Sequence, residues 1–322
     1  MQKLSYVIPC YRSMQTIASV VEEIQQTMDG RREFTYEIIL VNDGSPDDLW
    51  SVLCGIAKKK PNVICVDLAK NFGQYAALMA GYHYTTGDIV ISLDDDGQNP
   101  ADEAMKLVAK VNEGYDVVYA RYKQNMESAF RRFGSWVNHK MEEYLIGKPK
   151  GIATQSFFAA KRFVIEEMLK YSHAYPYIDG LVFRSTRNVA DVEVIHRSRT
   201  IGSTGYTFSK LIGMWLNGFT AFSVKPLRIA TVVGALCAFS GFIFGLRTVI
   251  AKIQNADSPA GYTTIVALLL LIGGIVMLML GLIGEYIGRI YICINQSPQY
   301  VIRETVNLEA GRQSGSEHMD IQ

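Results

Sequence analysis

The sequence predicts an α/β domain, a mainly parallel sheet with helices on both faces, followed by interfacial helices and two membrane-crossing helices. Three observations carry this expectation. Short apolar runs rich in β-branched residues end in polar turns and alternate with helix-length patterns through the first half of the chain. Two long charge-free stretches, 229–246 and 258–284, then follow one another. The length of 322 residues, 49% hydrophobic and 20% charged, allows about two domains and excludes a disordered chain.

The strand candidates in chain order are SYVIP (5–9), YEIILVNDGS (36–45), NVICVDLAKN (62–71), DIVISLDDDG (88–97) and YDVVYARY (115–122). Helical patterns separate them around 16–28, 47–59, 74–86 and 101–113. Ser45 followed by Asp48 resembles a capping box with aspartate in the glutamate position, and Pro100 suits a first helical turn. In such sheets ligands bind beyond the carboxyl ends of the strands. The polar clusters Asn42-Asp43-Gly44-Ser45 and Asp94-Asp95-Asp96 fall there.

At ~1.5 Å per residue the two charge-free stretches reach ~27 Å and ~40 Å, against a bilayer core of ~30 Å. A pair of buried helices in a large soluble protein is the alternative, but no polar face lies within either run. Gly234, Ala238, Gly241 and Gly245 in the first and Gly273, Gly274, Gly281 and Gly284 in the second let helices approach closely and would permit a homo-oligomer. Lys225, Arg228, Arg289 and Arg303 flank the pair, against Arg247 and Lys252 on the loop side. That bias puts both termini in the cytoplasm. The opening MQKLSYVIPCY reads as a strand and has no signal-peptide architecture.

The expected organisation is a cytoplasmic α/β domain over 1–205, a juxtamembrane amphipathic segment over 206–226, and a two-helix hairpin over 227–290. A cytoplasmic C-terminal segment over 291–310 and a disordered tail over 311–322 follow. In the juxtamembrane segment Phe208, Leu211, Trp215, Phe219 and Phe222 recur at helical steps, which suits an interfacial helix or ordinary packing against the first domain.

A net charge of +1 argues against a nucleic-acid partner. Cys10, Cys54, Cys65, Cys237 and Cys293 are odd in number and form no CxxC pair, so neither a disulfide framework nor a zinc site is suggested. There is no GxGxxG after the first strand, no GxxxxGK[ST], and no Gly-x-Ser-x-Gly elbow. The five histidines show no ligand spacing.

The acidic turn SLDDDGQNP carries the chemistry. Three adjacent carboxylates repel one another unless a cation compensates them, and oxygen ligands suit Mg²⁺ or Mn²⁺, which also grip phosphates. In an extended loop Asp94 and Asp96 project to one side and Asp95 elsewhere. A solvated acidic turn before a helix is the alternative. In 128–145, Arg131 and Ser135 lie one helical turn apart beside an apolar stripe of Phe130, Phe133, Val137 and Met141. That pair is either a phosphate clamp or part of a solvated surface.

The ordered segments VIPCYRS, IILVNDGSPDD, NFGQYAALMAGY and ISLDDDGQNP, with the hairpin, resemble the inverting GT-A glycosyltransferases of family 2. The similarity is greatest to the polyprenyl-phosphate subgroup and extends from residue 4 to about residue 303. The resemblance implies a nucleotide-diphosphate sugar donor, commonly a UDP-sugar, and a polyprenyl (undecaprenyl) phosphate acceptor at the bacterial plasma membrane. It implies that Pro9, Tyr11, Asp43, Asp94 and Asp95 contact the nucleotide. Asp94, Asp96 and Gln98 would then hold Mg²⁺ or Mn²⁺, and Asp96 and Arg131 would be catalytic. Arg121, Arg131, Ser135, Arg199 and Tyr206 would hold the acceptor phosphate.

Two positions depart from the family pattern. TQSFFAA has Ser156 where members often carry an aspartate, and Thr204-Gly205 stands where Ser-Lys is usual. Asp179, in YPYIDGLVF, is the nearby carboxylate that would substitute. Three other readings follow from these residues. A processive polysaccharide synthase would carry QxxRW, which does not occur. A glycolipid synthase with a hydroxyl acceptor would need a base, for which Asp179 is the candidate. A non-catalytic membrane scaffold would have no use for the Asp94-x-Asp96-x-Gln98 set.

Overall fold

A computed structural model of the chain describes residues 1–122, 140, 143–144, 146–197, 261–295 and 297–308, with 232, 234, 236, 239–241, 243, 246–247 and 250. The chain divides into two units, Met1–Tyr206 with Gln296–Gln322, and Thr207–Asn295.

The first unit is organised around strand β1 (Gln2–Cys10), which is buried from Leu4 to Cys10. It pairs in parallel with β2 (Phe34–Asn42) on one side and β4 (Ile89–Ser92) on the other; β2 in turn pairs in parallel with β3 (Val63–Leu68). Strands covered on both faces carry continuous apolar runs rather than alternation, as IILV of β2 and VICV of β3 do. Pro9 sits within β1 without breaking the ladder. Val7 accepts from the backbone of Leu93, so Val7 and Pro9 turn their backbone groups to the β4 side. Because β4 ends at Ser92, opposite Val7, the missing N–H of Pro9 has no ladder partner to lose.

Helices α1 (Ile17–Asp29), α2 (Leu49–Lys59), α3 (Gln74–Tyr82) and α4 (Ala104–Asn112), the last preceded by a single 3₁₀ turn at Ala101–Glu103, connect these strands. α1 and α4 present amphipathic stripes to the core through Val20, Val21, Ile24, Leu107, Val108 and Val111. α3 is buried from Ala76 to Tyr82 and approaches the sheet so closely that a β-carbon on Gly81 would lie 2.5 Å from Val7 Cγ1. The predicted capping box does not form. α2 begins at Leu49, too far from Ser45 for that geometry, and the Ser45 hydroxyl pairs with Asp47 instead.

The complete sheet has eight strands in the order β7-β5-β6-β4-β1-β2-β3-β8, with β5 (Val117–Tyr122), β6 (Phe158–Lys161), β7 (Val189–Val194) and β8 (Ile302–Val306). Two helices, α5 (Arg162–Leu169) and α6 (Ile178–Ser185), lie between β6 and β7 in sequence. The sheet is more mixed than expected, since β6 runs antiparallel to β4 and β5, and β8 antiparallel to β3. The segment over 291–310, expected as a simple cytoplasmic extension, thus holds an edge strand of the first unit.

In the second unit, helix α7 (Tyr262–Ile294) runs 33 residues, about 50 Å at ~1.5 Å per residue. A β-carbon on Gly234 would lie 2.5 Å from Met279 Cε, so the two predicted apolar runs lie against each other. Ile265, Leu269, Met277, Leu280 and Ile287 of α7 are exposed. Over the described residues alone, no helix is long and apolar enough to cross a membrane. The sequence of α7 itself carries no charge from Tyr262 to Gly284.

Candidate active site

The order of strands 3-2-1-4 reverses between β1 and β4, and the carboxyl ends of these two strands make the crevice where ligands bind in such sheets. The acidic turn follows β4 directly. A cleft of about 370 Å³ opens there, lined by Pro9, Cys10, Tyr11, Asp43, Asn71, Gly73, Gln74, Asp94, Asp95, Asp96, Gln98 and Ser156.

Asp43 lies just beyond β2. Its N–H donates to the Cys10 carbonyl (3.0 Å), while its carboxylate accepts from the N–H groups of Phe72 (2.7 Å) and Gly73 (2.9 Å). Burial raises the carboxyl to about 6, and the two backbone donors only partly offset it. Gly44 makes this turn possible. Its φ is +56°, and a β-carbon there would lie 2.3 Å from the Lys70 carbonyl carbon and 2.4 Å from the Asn71 nitrogen.

The three adjacent aspartates have different surroundings. Asp94 receives three side-chain donors: Gln74 Nε2 on Oδ1 (3.0 Å), and Asn99 Nδ2 (3.0 Å) and Ser156 Oγ (2.6 Å) on Oδ2. Burial raises its pKa and the charge of Asp96 adds to this, against the pull of those donors. Asp95 turns toward β1, accepting from the Tyr11 N–H at 3.0 Å, and its carbonyl accepts from Thr16 Oγ1 at 2.7 Å. Burial brings Asp95 up to about 6. Asp96 accepts from the Gln98 N–H at 3.1 Å across Gly97, whose φ is +71°. The expected divergence of Asp95 from its neighbours is thus seen in its partners.

Beside this turn the strand-end segment 195–197 is stitched down. Arg197 N–H donates to the Gln98 carbonyl (2.8 Å), Gln98 Nε2 donates to the Arg197 carbonyl (3.2 Å), and Arg197 pairs with Glu23 (2.8 Å). The ring of His196 stacks on Tyr122 at 4.1 Å between centroids, and both approach Asn99 Oδ1.

Pro9, Tyr11, Asp43, Asp94, Asp95, Asp96, Gln98 and Ser156, identified from sequence, therefore share one cleft. Arg121 does not line it. Its guanidinium is forked onto Asp191 (2.6 and 3.0 Å) and also donates to the Gly151 carbonyl. Asp179 does not line it either, and accepts from the buried Tyr119 hydroxyl at 3.0 Å. Arg131, Ser135, Arg199 and Tyr206 lie outside the described residues. Gln74 and Asn99 were missed as partners of Asp94; an amide next to the carboxylate cluster was the available signal for Asn99, while Gln74 lies 20 positions away and gave none.

The donor set of Asp94, Asp96 and the Gln98 amide is all hard oxygen, which fits Mg²⁺ or Mn²⁺. Among the described residues no three His, Cys, Asp or Glu side chains converge to hold a metal unaided. Mg²⁺ commonly takes one or two carboxylates and completes its shell with substrate phosphates and water.

A parallel α/β core with an acidic turn at the switch point and an aspartate at the neighbouring strand end is the architecture of a GT-A glycosyltransferase. The profile for Glycosyl transferase family 2 matches residues 5–169, and that for the GtrB C-terminal hairpin matches 225–290. The chain belongs to glycosyl transferase family 2. It is 35% identical over 313 residues to the undecaprenyl-phosphate 4-deoxy-4-formamido-L-arabinose transferase of Proteus mirabilis, covering 95% of each chain. It is 31% identical over 316 residues to the uncharacterized glycosyltransferase YkcC of Bacillus subtilis, covering 98% of each. Glucosyl-3-phosphoglycerate synthase from Mycobacterium tuberculosis, solved with Mn²⁺ and UDP-glucose, shares the fold, with TM-score 0.50, 22% identity, and coverage of 66% of this chain and 75% of that one.

Proposed function

We propose that the protein transfers a sugar from a nucleotide-diphosphate sugar to the phosphate of a polyprenyl lipid such as undecaprenyl phosphate, inverting the anomeric carbon. The observation that carries this is the single cleft uniting the ends of β1, β2 and β4, with Asp43 on one wall and the acidic turn on another. In this reading Pro9, Tyr11 and Asp43 receive the base and ribose, and the acidic turn faces the diphosphate. Asp96, Gln98 and the Oδ1 side of Asp94 are the groups that would hold Mg²⁺ or Mn²⁺. When bound, the cation neutralises charge building on the leaving nucleoside diphosphate.

The chain's own groups do the rest. Gln74, Asn99 and Ser156 orient Asp94 and favour its ionised form against the effect of burial, and Asp95 pins the Tyr11 backbone to the acidic turn. Arg131, Ser135, Arg199 and Tyr206 are assigned to the acceptor phosphate. Arg121 would reach it only by leaving Asp191. A phosphate monoester, with a second pKa near ~6, presents an oxygen that needs no deprotonation at neutral pH. A serine at 156 is compatible with that nucleophile, because no base is required. For a hydroxyl acceptor a base worth ~10²–10⁴-fold is expected, and Asp179, committed to Tyr119 outside the cleft, is poorly placed to supply it.

The hairpin is assigned to the bilayer, with the catalytic unit and both termini on the cytoplasmic side. Support comes from the charge-free run 258–284, the 33-residue helix α7 and the match to the hairpin profile. The test is incubation of the purified full chain with a panel of nucleotide sugars and undecaprenyl phosphate. Lipid-linked sugar is expected only with divalent metal, and Asp96→Asn should lower its formation at least ~100-fold, the loss of a principal electrostatic contact. Equal product in chelator would reject the metal assignment, and transfer to diacylglycerol in its place would establish the hydroxyl-acceptor reading.

A further inference from the structure

Strand β8 is reached only after the chain has passed through the second unit, yet it is tied to the two loops that form one wall of the cleft. β8 pairs with β3 around a bulge: Asp67 faces Glu304 and Leu68 faces Ile302, leaving Arg303 as the extra residue. A bulge re-aims its side chain, and here the guanidinium reaches Asp67. Arg303 Nη1 lies 3.2 Å from Asp67 Oδ2, and Nη2 donates to the Ala69 carbonyl at 2.7 Å. The Ala69 N–H in turn donates to the Val301 carbonyl at 2.8 Å.

From Asp67 the contacts continue in two directions. Asp67 Oδ1 accepts from Asn42 Nδ2 at 2.7 Å, and Asn42 Oδ1 accepts from the Ser45 N–H at 3.2 Å, which shapes the turn carrying Asp43. Ala69 begins the loop whose Phe72 and Gly73 N–H groups hold the Asp43 carboxylate. Arg303 thus contacts both the strand end that supports the 42–45 turn and the start of the 69–73 loop. Asp67 is 1% exposed, so these partners and not water satisfy its oxygens.

We infer that Arg303 is a positioning residue for the donor nucleotide: the strand following the hairpin sets the Asp43 wall, so donor affinity depends on β8 being docked. This rests on the proposed assignment of Asp43 to the nucleotide. Arginine is required because only its planar fork spans a carboxylate and a carbonyl together. Lysine, a point charge, would keep the contact with Asp67 and lose that with Ala69.

The test uses the full chain in detergent with Arg303→Ala and Arg303→Lys, measuring steady-state kinetics, thermal melting and hydrogen exchange. Loss of a charge-assisted contact predicts a rise of about tenfold or more in donor KM for Arg303→Ala. Acceptor KM and kcat should stay within about twofold, and Arg303→Lys should fall between. Exchange should quicken at Ser45, Phe72 and Gly73 but not at Tyr6–Ile8 in β1. A folded Arg303→Ala protein with unchanged donor KM and unchanged exchange in the two loops overturns the inference, as does a uniform rise in exchange across the sheet. Faster loop exchange in a protein whose wild type turns over no nucleotide sugar would uphold the coupling while rejecting the donor assignment. If Arg303→Ala does not fold, Arg303→Lys decides by the same readouts.

Discussion

Ser156, which stands where the family resemblance implies an aspartate, donates to Asp94 Oδ2 at 2.6 Å. Two substitutions probe this contact in opposite directions. Ser156→Ala removes one of three donors from a carboxylate whose pKa burial already raises. A hydrogen bond to a charged group is worth about 1.5–3 kcal/mol, or about 10–150-fold in an equilibrium. Donor affinity measured by calorimetry with Mg²⁺ should fall by at least tenfold while the fold persists. Ser156→Asp places a second carboxylate against the first. Charges about 4 Å apart at an effective dielectric near 20 repel by about 4 kcal/mol, so the pair retains a shared proton near neutrality and titrates as a unit. At pH 8 the Asp variant should bind donor at least ~100-fold more weakly than wild type, since about 3 of those 4 kcal/mol suffice for that loss. Binding should partly recover at pH 6, and the uncharged Ser156→Asn protein should show no such recovery. Wild-type donor affinity in Ser156→Asp at every pH from 6 to 8 would refute the reasoning.

Other expectations concern the Asp43 wall. Gly44→Ala forces a β-carbon onto a left-handed backbone and into the Lys70–Asn71 backbone, at about 1–2 kcal/mol for the conformation alone and more for the overlap. Its melting temperature should drop and donor binding should be lost, and a variant with wild-type values for both would contradict this. Asp43 titrates near 6, above its ordinary range. A carboxyl raised in this way contributes stability that is complete below about pH 4 and lost as pH rises through about 6, by roughly 2–3 kcal/mol. Melting curves should show the nucleotide-free wild type losing more stability than Asp43→Asn between pH 5 and 7.5, and parallel curves would disprove the assignment.

Much of the parallel core was legible because its signals are local. Continuous apolar runs such as IILV and VICV mark strands buried on both faces, and polar clusters after them mark the ligand-binding ends. The acidic turn and Asp43 were found for that reason, whereas Pro9 and Tyr11 came only from the resemblance to the family 2 motifs. Residues whose role depends on distant pairing were not legible in the same way. FAAK is too short and too neutral to announce β6 by its own pattern, and IRETV alternates weakly, so β8 was read only as part of a cytoplasmic C-terminal segment. The Ser45–Asp48 spacing looked like a cap because the sequence could not show that Ser45 would be taken by Asp47 and by the Arg12 N–H. Arg121 has the chemistry of a phosphate ligand, but Asp191 arrives 70 positions later to occupy it.

The outer partner of β3 lies more than two hundred positions downstream, with Asp67 and Arg303 separated by 236 residues. At synthesis rates of ~5–20 residues per second, the ribosome needs on the order of tens of seconds to deliver the missing strand. During that interval the nascent sheet exposes a raw border able to recruit other chains. A message cut short after the hairpin would leave that border open permanently, yielding a product prone to clump however well its first two hundred residues had folded.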